Sequence, residues 1–66
     1  MRTMKVNTDK IKREIKRQGL TQMGFAKSID MTRQGFEQIL TRETTTFKTL
    51  DIIADALGVD AKDLLV

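Results

Sequence analysis

Three side chains near the middle of the chain have the shape needed to read the edge of a base pair. Arg33, Gln34 and Gln38 each carry two polar groups that can act together. A guanidinium can donate two hydrogen bonds to O6 and N7 of guanine, and a primary amide can pair with N6 and N7 of adenine. An ordinary solvated helix face carries the same residue types, so these residues alone leave both interpretations open.

Residues for other kinds of chemistry are scarce. The sequence contains no cysteine and no histidine, which excludes disulfides and metal sites built from thiolates or imidazoles. No nucleophile is paired with a base at a recognisable spacing, and we therefore predict that the protein is not an enzyme. We also expect no cofactor, no metal ion and no small-molecule ligand.

Apolar residues occur only in short runs, of which residues 64–66 are an example. Such runs are far too short to cross a bilayer. The basic start of the chain is not followed by an apolar stretch, so it does not have the pattern of a signal peptide. We therefore expect a cytoplasmic protein with no membrane partner.

The formal net charge of +3 is unevenly distributed along the chain. Residues 1–48 hold eleven lysines and arginines against five acidic residues, whereas residues 49–66 hold one lysine against four aspartates. This asymmetry suggests that one end faces a polyanion, although ordinary solvated surface explains the charges equally well. Residues 1–6 are a candidate flexible basic arm. A further basic cluster is more typical of a solvated face, with an extension of the phosphate contacts as the alternative: Lys10, Lys12, Arg13, Lys16 and Arg17.

Helix signals are dense and strand signals are poor, so we predict one all-α domain of five short helices over residues 1–66. Each predicted helix follows a residue that can act as its N-cap. A polar connection is expected between the third and fourth helices, over residues 41–46. The predicted helices span residues 8–18, 22–29, 33–40, 47–57 and 61–65, with caps at Asn7, Thr21, Thr32, Thr46 and Asp60.

Helices this short are marginal on their own, so they must share one core. On the third helix, the 100° rotation per residue separates an apolar half around Phe36 from a polar half that includes Arg33 and Gln38. We expect the polar half to be available for function. The predicted core comprises Ile11, Ile15, Leu20, Phe25, Ala26, Ile29, Phe36, Ile39, Leu40, Leu50, Ile53, Ala54, Leu57, Val59 and Leu64.

Only residues 30–32 separate the second and third predicted helices, and so short a connection suits the steep crossing of a helix-turn-helix. Asp30 lies where such a turn often needs a positive φ, which aspartate tolerates better than most residues.

Gly35 inside the third helix either admits a close approach to DNA or serves packing. Glu37 is expected to pair with Arg33 at i, i+4; accepting a hydrogen bond from cytosine N4 is the alternative.

Two stretches resemble the Cro/phage-repressor helix-turn-helix family, also called XRE-like. The resemblance covers residues 8–65 and includes the five-helix layout, although that family usually has glycine where this chain has Asp30. The first stretch is Thr21-Gln22-x-x-x-Ala26, a turn, and Thr32-Arg33-Gln34-x-Phe36-Glu37-Gln38-Ile39. The second, similar to the family's fourth helix, is Leu50-x-x-Ile53-Ala54-x-Ala56-Leu57-Gly58-Val59.

The resemblance implies a role for each matching residue. Positions that contact bases in the family are occupied by Arg33, Gln34 and Gln38. Positions that contact backbone phosphates are occupied by Gln22, Thr32, Arg42, Thr46 and Lys48. Free amides at the starts of the third and fourth helices could also bind phosphate oxygens.

We therefore predict a sequence-specific double-stranded DNA-binding protein that acts as a transcriptional regulator, specifically a repressor. A single helix-turn-helix buries little DNA surface, so we expect a weak homodimer on a two-fold symmetric operator. Ile52, Leu65 and Val66 are the candidate dimer contacts. The alternative is a protein-interaction module, such as an antitoxin-like or adaptor protein, in which DNA binding is secondary and residues 49–66 provide the surface.

Overall fold

The computed structural model describes residues 2–66, which form four α-helices, a single turn of 3₁₀-helix and a two-stranded antiparallel sheet. None of the helices in this part of the chain has the length and apolar character needed to span a membrane. In chain order the elements are β1 (Thr3–Lys5), α1 (Thr8–Arg17), α2 (Gln22–Ser28), α3 (Arg33–Arg42), β2 (Thr44–Thr46), α4 (Phe47–Leu57) and the 3₁₀-helix (Ala61–Leu64).

The prediction of an all-α domain with five helices is wrong, because the fold contains a sheet. Strands β1 and β2 pair antiparallel, with Thr3 opposite Thr46 and Lys5 opposite Thr44. Each strand has three residues and its partner is remote in sequence, so neither side-chain alternation nor a hairpin turn marks it. The predicted fifth helix is only a 3₁₀ turn, at whose start Asp60 makes no side-chain capping hydrogen bond.

Strand β1 lies within residues 1–6, which the sequence suggested as a basic arm. Val6, directly after β1, is 1% exposed, and its N–H donates to the Glu43 carbonyl at 2.8 Å. On the other edge of β1, Val6 forms an isolated antiparallel bridge with Leu65. The start of the described chain is therefore held between β2 and the segment that follows the 3₁₀-helix.

Four helices begin where their N-caps predict. The side chain of each cap accepts a hydrogen bond from a backbone N–H in the first turn and so satisfies a donor that has no partner within the helix. Helix α3 extends two residues beyond its predicted end at residue 40. It ends where Glu43 adopts the left-handed conformation, at φ 58°. The donor–acceptor distances are 3.1 Å at Asn7, 3.0 Å at Thr21, 3.0 Å at Thr32 and 3.5 Å at Thr46.

The turn between α2 and α3 has the predicted backbone geometry. Asp30 adopts φ 60°, which a short polar side chain tolerates. The N–H of Met31 donates to the Ala26 carbonyl at 2.8 Å, so the chain leaves α2 in a fixed direction. Ala26 and Phe25 on α2 are buried against α3, where the rings of Phe25 and Phe36 lie 5.5 Å apart.

The core contains most of the residues predicted for it. Leu20, predicted to be buried, is 41% exposed, and Ile29, Ile39 and Val59 are only partly buried. Val6 was not predicted because it lies outside every predicted helix. The buried apolar residues are Val6, Ile11, Ile15, Phe25, Ala26, Phe36, Leu40, Leu50, Ile53, Ala54, Leu57 and Leu64.

Candidate DNA interface

Helix α3 has one polar, exposed side and one buried side, as its sequence predicts. Phe36 and Leu40 are buried in the core. Five polar residues on the opposite side are exposed and are called the reading face below: Arg33, Gln34, Glu37, Gln38 and Thr41. Gln34 and Gln38 stand about one turn apart on this face.

The predicted ion pair on the reading face is present. Arg33 Nε donates to Glu37 Oε1 at 3.1 Å, and the two side chains are 66% and 50% exposed. An exposed pair of this kind contributes little to stability. Because the bond uses Nε, the terminal nitrogens of the guanidinium keep their donors for another partner. The pair therefore orients Arg33 without occupying the groups that would contact a base.

Gly35 lies against the residue that caps α3. A Cβ at this position would lie 3.0 Å from Thr32 Oγ1, the hydroxyl that caps the helix. The caps of α1 and α4 form with Lys10 and Thr49 at the matching position, so a cap of this kind does not require glycine. Thr32 itself is exposed, and its hydroxyl proton is free to donate because the oxygen only accepts from Gly35 N–H.

A groove runs along one side of the reading face, and we call it the α1-side groove. It is lined by Lys12, Gln22, Glu37, Leu40 and Thr41. This arrangement brings Gln22, a predicted phosphate contact, together with Lys12 of α1. Sequence reasoning could not separate Lys12 from its four basic neighbours, because only the packing of α1 decides which of them lies beside α3.

A second groove, the sheet-side groove, follows the other side of α3. It joins Gln38 and Arg42 of α3 to the predicted phosphate contact Thr46. It also contains Thr3 of β1, which sequence reasoning missed because the pairing of β1 with β2 carries no local signal. The full lining is Thr3, Gly35, Gln38, Ile39, Arg42, Thr44, Thr45, Thr46 and Thr49.

Lys48 and the candidate dimer contacts lie outside these two grooves. Lys48 is exposed in the first turn of α4, two residues after Thr46. Ile52 is 44% exposed and Val66 is 82% exposed, whereas Leu65 is partly buried beside Val6. Three further apolar side chains that were not predicted as contacts are also exposed: Leu20 at 41%, Met23 at 50% and Phe47 at 59%.

Helices α2 and α3 are short and are joined by a tight turn, and α3 has a polar face with a small sheet beside it. This arrangement defines a helix-turn-helix domain. Residues 6–65 match the family described as winged helix-turn-helix DNA-binding. The match covers nearly the whole sequence, and the chain belongs to this family. Neither the comparison with curated proteins nor that with solved structures gives a match.

The family match confirms the helix-turn-helix and DNA-binding parts of the sequence prediction. It does not support the narrower assignment to the Cro/phage-repressor family. In this chain the sheet is not a hairpin, because β1 precedes α1 and β2 follows α3. The sheet nevertheless lies directly beside the reading face, through Thr3 and β2.

Proposed function

We propose that this protein binds double-stranded DNA sequence-specifically and acts as a transcriptional regulator, specifically a repressor, with α3 in the major groove. One observation carries the proposal: the polar face of α3 is flanked on both sides by grooves lined by cationic, amide and hydroxyl side chains, which are able to donate hydrogen bonds to phosphate oxygens. The repressor role rests on the resemblance of residues 21–39 and 50–59 to the Cro/phage-repressor family.

The size of the major groove explains why both flanks matter. The groove is about 12 Å wide and admits an α-helix, so a helix lying in it has a phosphate backbone on each side. Lys12 and Gln22 would face one strand, and Arg42 and Thr46 the other. Thr32 and Lys48 extend this set of proposed phosphate contacts at the starts of α3 and α4.

Base recognition is proposed for three residues of the reading face. Arg33 is suited to O6 and N7 of guanine, and the amides of Gln34 and Gln38 to N6 and N7 of adenine. All three are exposed. The ion pair with Glu37 supports the assignment of Arg33, because it limits the freedom of a long side chain before binding.

We further propose a weak homodimer on a two-fold symmetric operator, with half-sites about one helical turn apart. A single helix-turn-helix contacts only a small DNA surface, and a second copy doubles it. The exposure of Ile52 and Val66 supports them as dimer contacts. Leu65 is proposed with them, although part of its surface is already covered.

The first test is fluorescence anisotropy of a random-sequence duplex at low salt and then at rising salt. Neutralisation of phosphates predicts that the logarithm of the binding constant falls linearly with the logarithm of salt concentration. Selection from a random pool of duplexes would then give the operator. Absence of binding even at low salt would overturn the proposal and direct attention to a protein partner.

The second test removes the proposed base contacts. The folded double variant Arg33→Ala/Gln34→Ala should lose about 1–3 kcal/mol of binding free energy for each bidentate contact on the selected operator. Arg17→Ala is the matched control, because Arg17 also pairs with a glutamate on its own helix, at 3.4 Å, but lines neither groove beside α3. Unchanged operator affinity in the double variant would show that the readout assignment is wrong.

A further inference from the structure

The two-stranded sheet has one face in the core and one face in solvent. Met4 is partly buried and Thr45 is 6% exposed, so this pair lies on the inner face. Successive residues of a strand point to opposite faces. The outer face therefore carries the remaining pairs of the register: Thr3 opposite Thr46 and Lys5 opposite Thr44.

This outer face is continuous with the proposed DNA-binding surface. Thr3, Thr44 and Thr46 all line the sheet-side groove, whose other wall includes Gln38 and Arg42 of α3. Lys5 is exposed and lies on the same face, across from Thr44. The outer face of β1 thus carries the Thr3 hydroxyl inside the groove and the Lys5 ammonium group beside it.

The side chains of the sheet-side groove are suited to a phosphate. Among residues 2–66, those that line it bring hydroxyls, an amide and a guanidinium, and none brings a carboxylate. Two further clefts differ in this respect, since Glu37 lies in the α1-side groove and Glu14 in a cleft along α1. Hydroxyls and cationic side chains are the usual donors to phosphate oxygens in protein–DNA contacts.

We propose that strand β1 is part of the DNA interface and that Thr3 and Lys5 bind the sugar–phosphate backbone. The ligand is a phosphodiester of the DNA strand that passes the sheet side of α3, next to the phosphate contacted by Arg42 and Thr46. This inference rests on the proposed function, because the insertion of α3 into the major groove brings that strand to the sheet.

The test uses Lys5→Gln and Thr3→Val in the full chain, with a random-sequence duplex and a salt series. Lys5→Gln should weaken binding roughly two- to fivefold and lower the salt slope by about 1, because one phosphate is no longer neutralised. Thr3→Val should weaken binding with little change of slope, because a hydroxyl carries no charge. Valine keeps the β-branched shape that suits a strand.

Two controls separate a local contact from general charge and from misfolding. Lys62→Gln removes the same charge from an exposed site on the 3₁₀-helix and should leave the slope nearly unchanged. Lys5→Arg keeps the charge and should keep the slope. Thermal melts followed by circular dichroism check that every variant is folded, and Thr3→Val tests the strand independently if Lys5→Gln is not folded.

The outcomes distinguish this inference from the proposed function. If the unmodified protein binds no DNA, the proposed function fails and the inference fails with it. If the unmodified protein binds and Arg33→Ala/Gln34→Ala weakens operator binding, the proposed function stands. The role of β1 is then overturned if Lys5→Gln and Thr3→Val bind like Lys62→Gln, or if Lys62→Gln lowers the salt slope as much as Lys5→Gln does.

Discussion

Glu37 is an acidic residue on a face that is proposed to lie against DNA, and its carboxylate both holds Arg33 and repels phosphate. These two effects have opposite consequences for binding. Repulsion acts on any DNA sequence, whereas orientation of Arg33 matters only where a guanine is contacted. The residue therefore favours discrimination between sequences at the expense of affinity, if α3 lies in the groove as proposed.

Glu37→Gln separates these effects. We expect binding to random duplex DNA to strengthen roughly two- to fivefold, because a negative charge leaves the interface. The ratio of operator affinity to random-duplex affinity should fall, because Arg33 loses its orienting partner. Anisotropy titrations on both duplexes measure this, with Glu14→Gln as the control that breaks the 3.4 Å pair with Arg17 on α1. Unchanged random-duplex affinity would mean that Glu37 does not face DNA.

The helices were predictable because their limits are local. A capping hydroxyl or amide marks each start, and the bounds of α4 agree with the prediction at both ends. The strands were not predictable, since three threonines after α3 become β2 only when Thr3–Lys5 are available to pair with them. The same limit applies to the site. The reading face follows from one helix, but Lys12 and Thr3 join it only through the packing of α1 and β1.

Val6 tests the structural importance of the segment that follows β1. It is 1% exposed, and Val6→Ala removes two buried carbon atoms and leaves a cavity. We expect the free energy of unfolding to fall by about 2 kcal/mol, which urea denaturation followed by circular dichroism measures. Val66→Ala is the matched control because Val66 is 82% exposed, and it should change stability by about 0.5 kcal/mol or less. An equal loss in both variants would contradict the packing of Val6.

The charge asymmetry of the sequence separates two regions of the folded molecule. Apart from Thr49, the residues that line both grooves beside α3 lie in the basic part, residues 1–48, whereas residues 49–66 carry four aspartates and one lysine. A protein with this distribution would approach DNA with α3 and β1 towards the phosphates. Ile52 and Val66 belong to the acidic part and remain exposed. This part is therefore available for a contact between two copies.

Ile52→Gln tests that contact without changing net charge. In analytical ultracentrifugation we expect two copies of the unmodified protein on the selected operator and a weak self-association in free solution. Ile52→Gln should bind the full operator about tenfold more weakly or worse, because the second copy no longer gains from the first. Affinity for an isolated half-site should be unchanged, since α3 and both grooves are intact.

Leu20→Gln, at a site 41% exposed against 44% for Ile52, should behave like the unmodified protein. If the unmodified protein stays monomeric both in solution and on its operator, the proposed dimer is wrong, and each copy must then gain its affinity from the phosphate contacts along α1, α3 and the sheet.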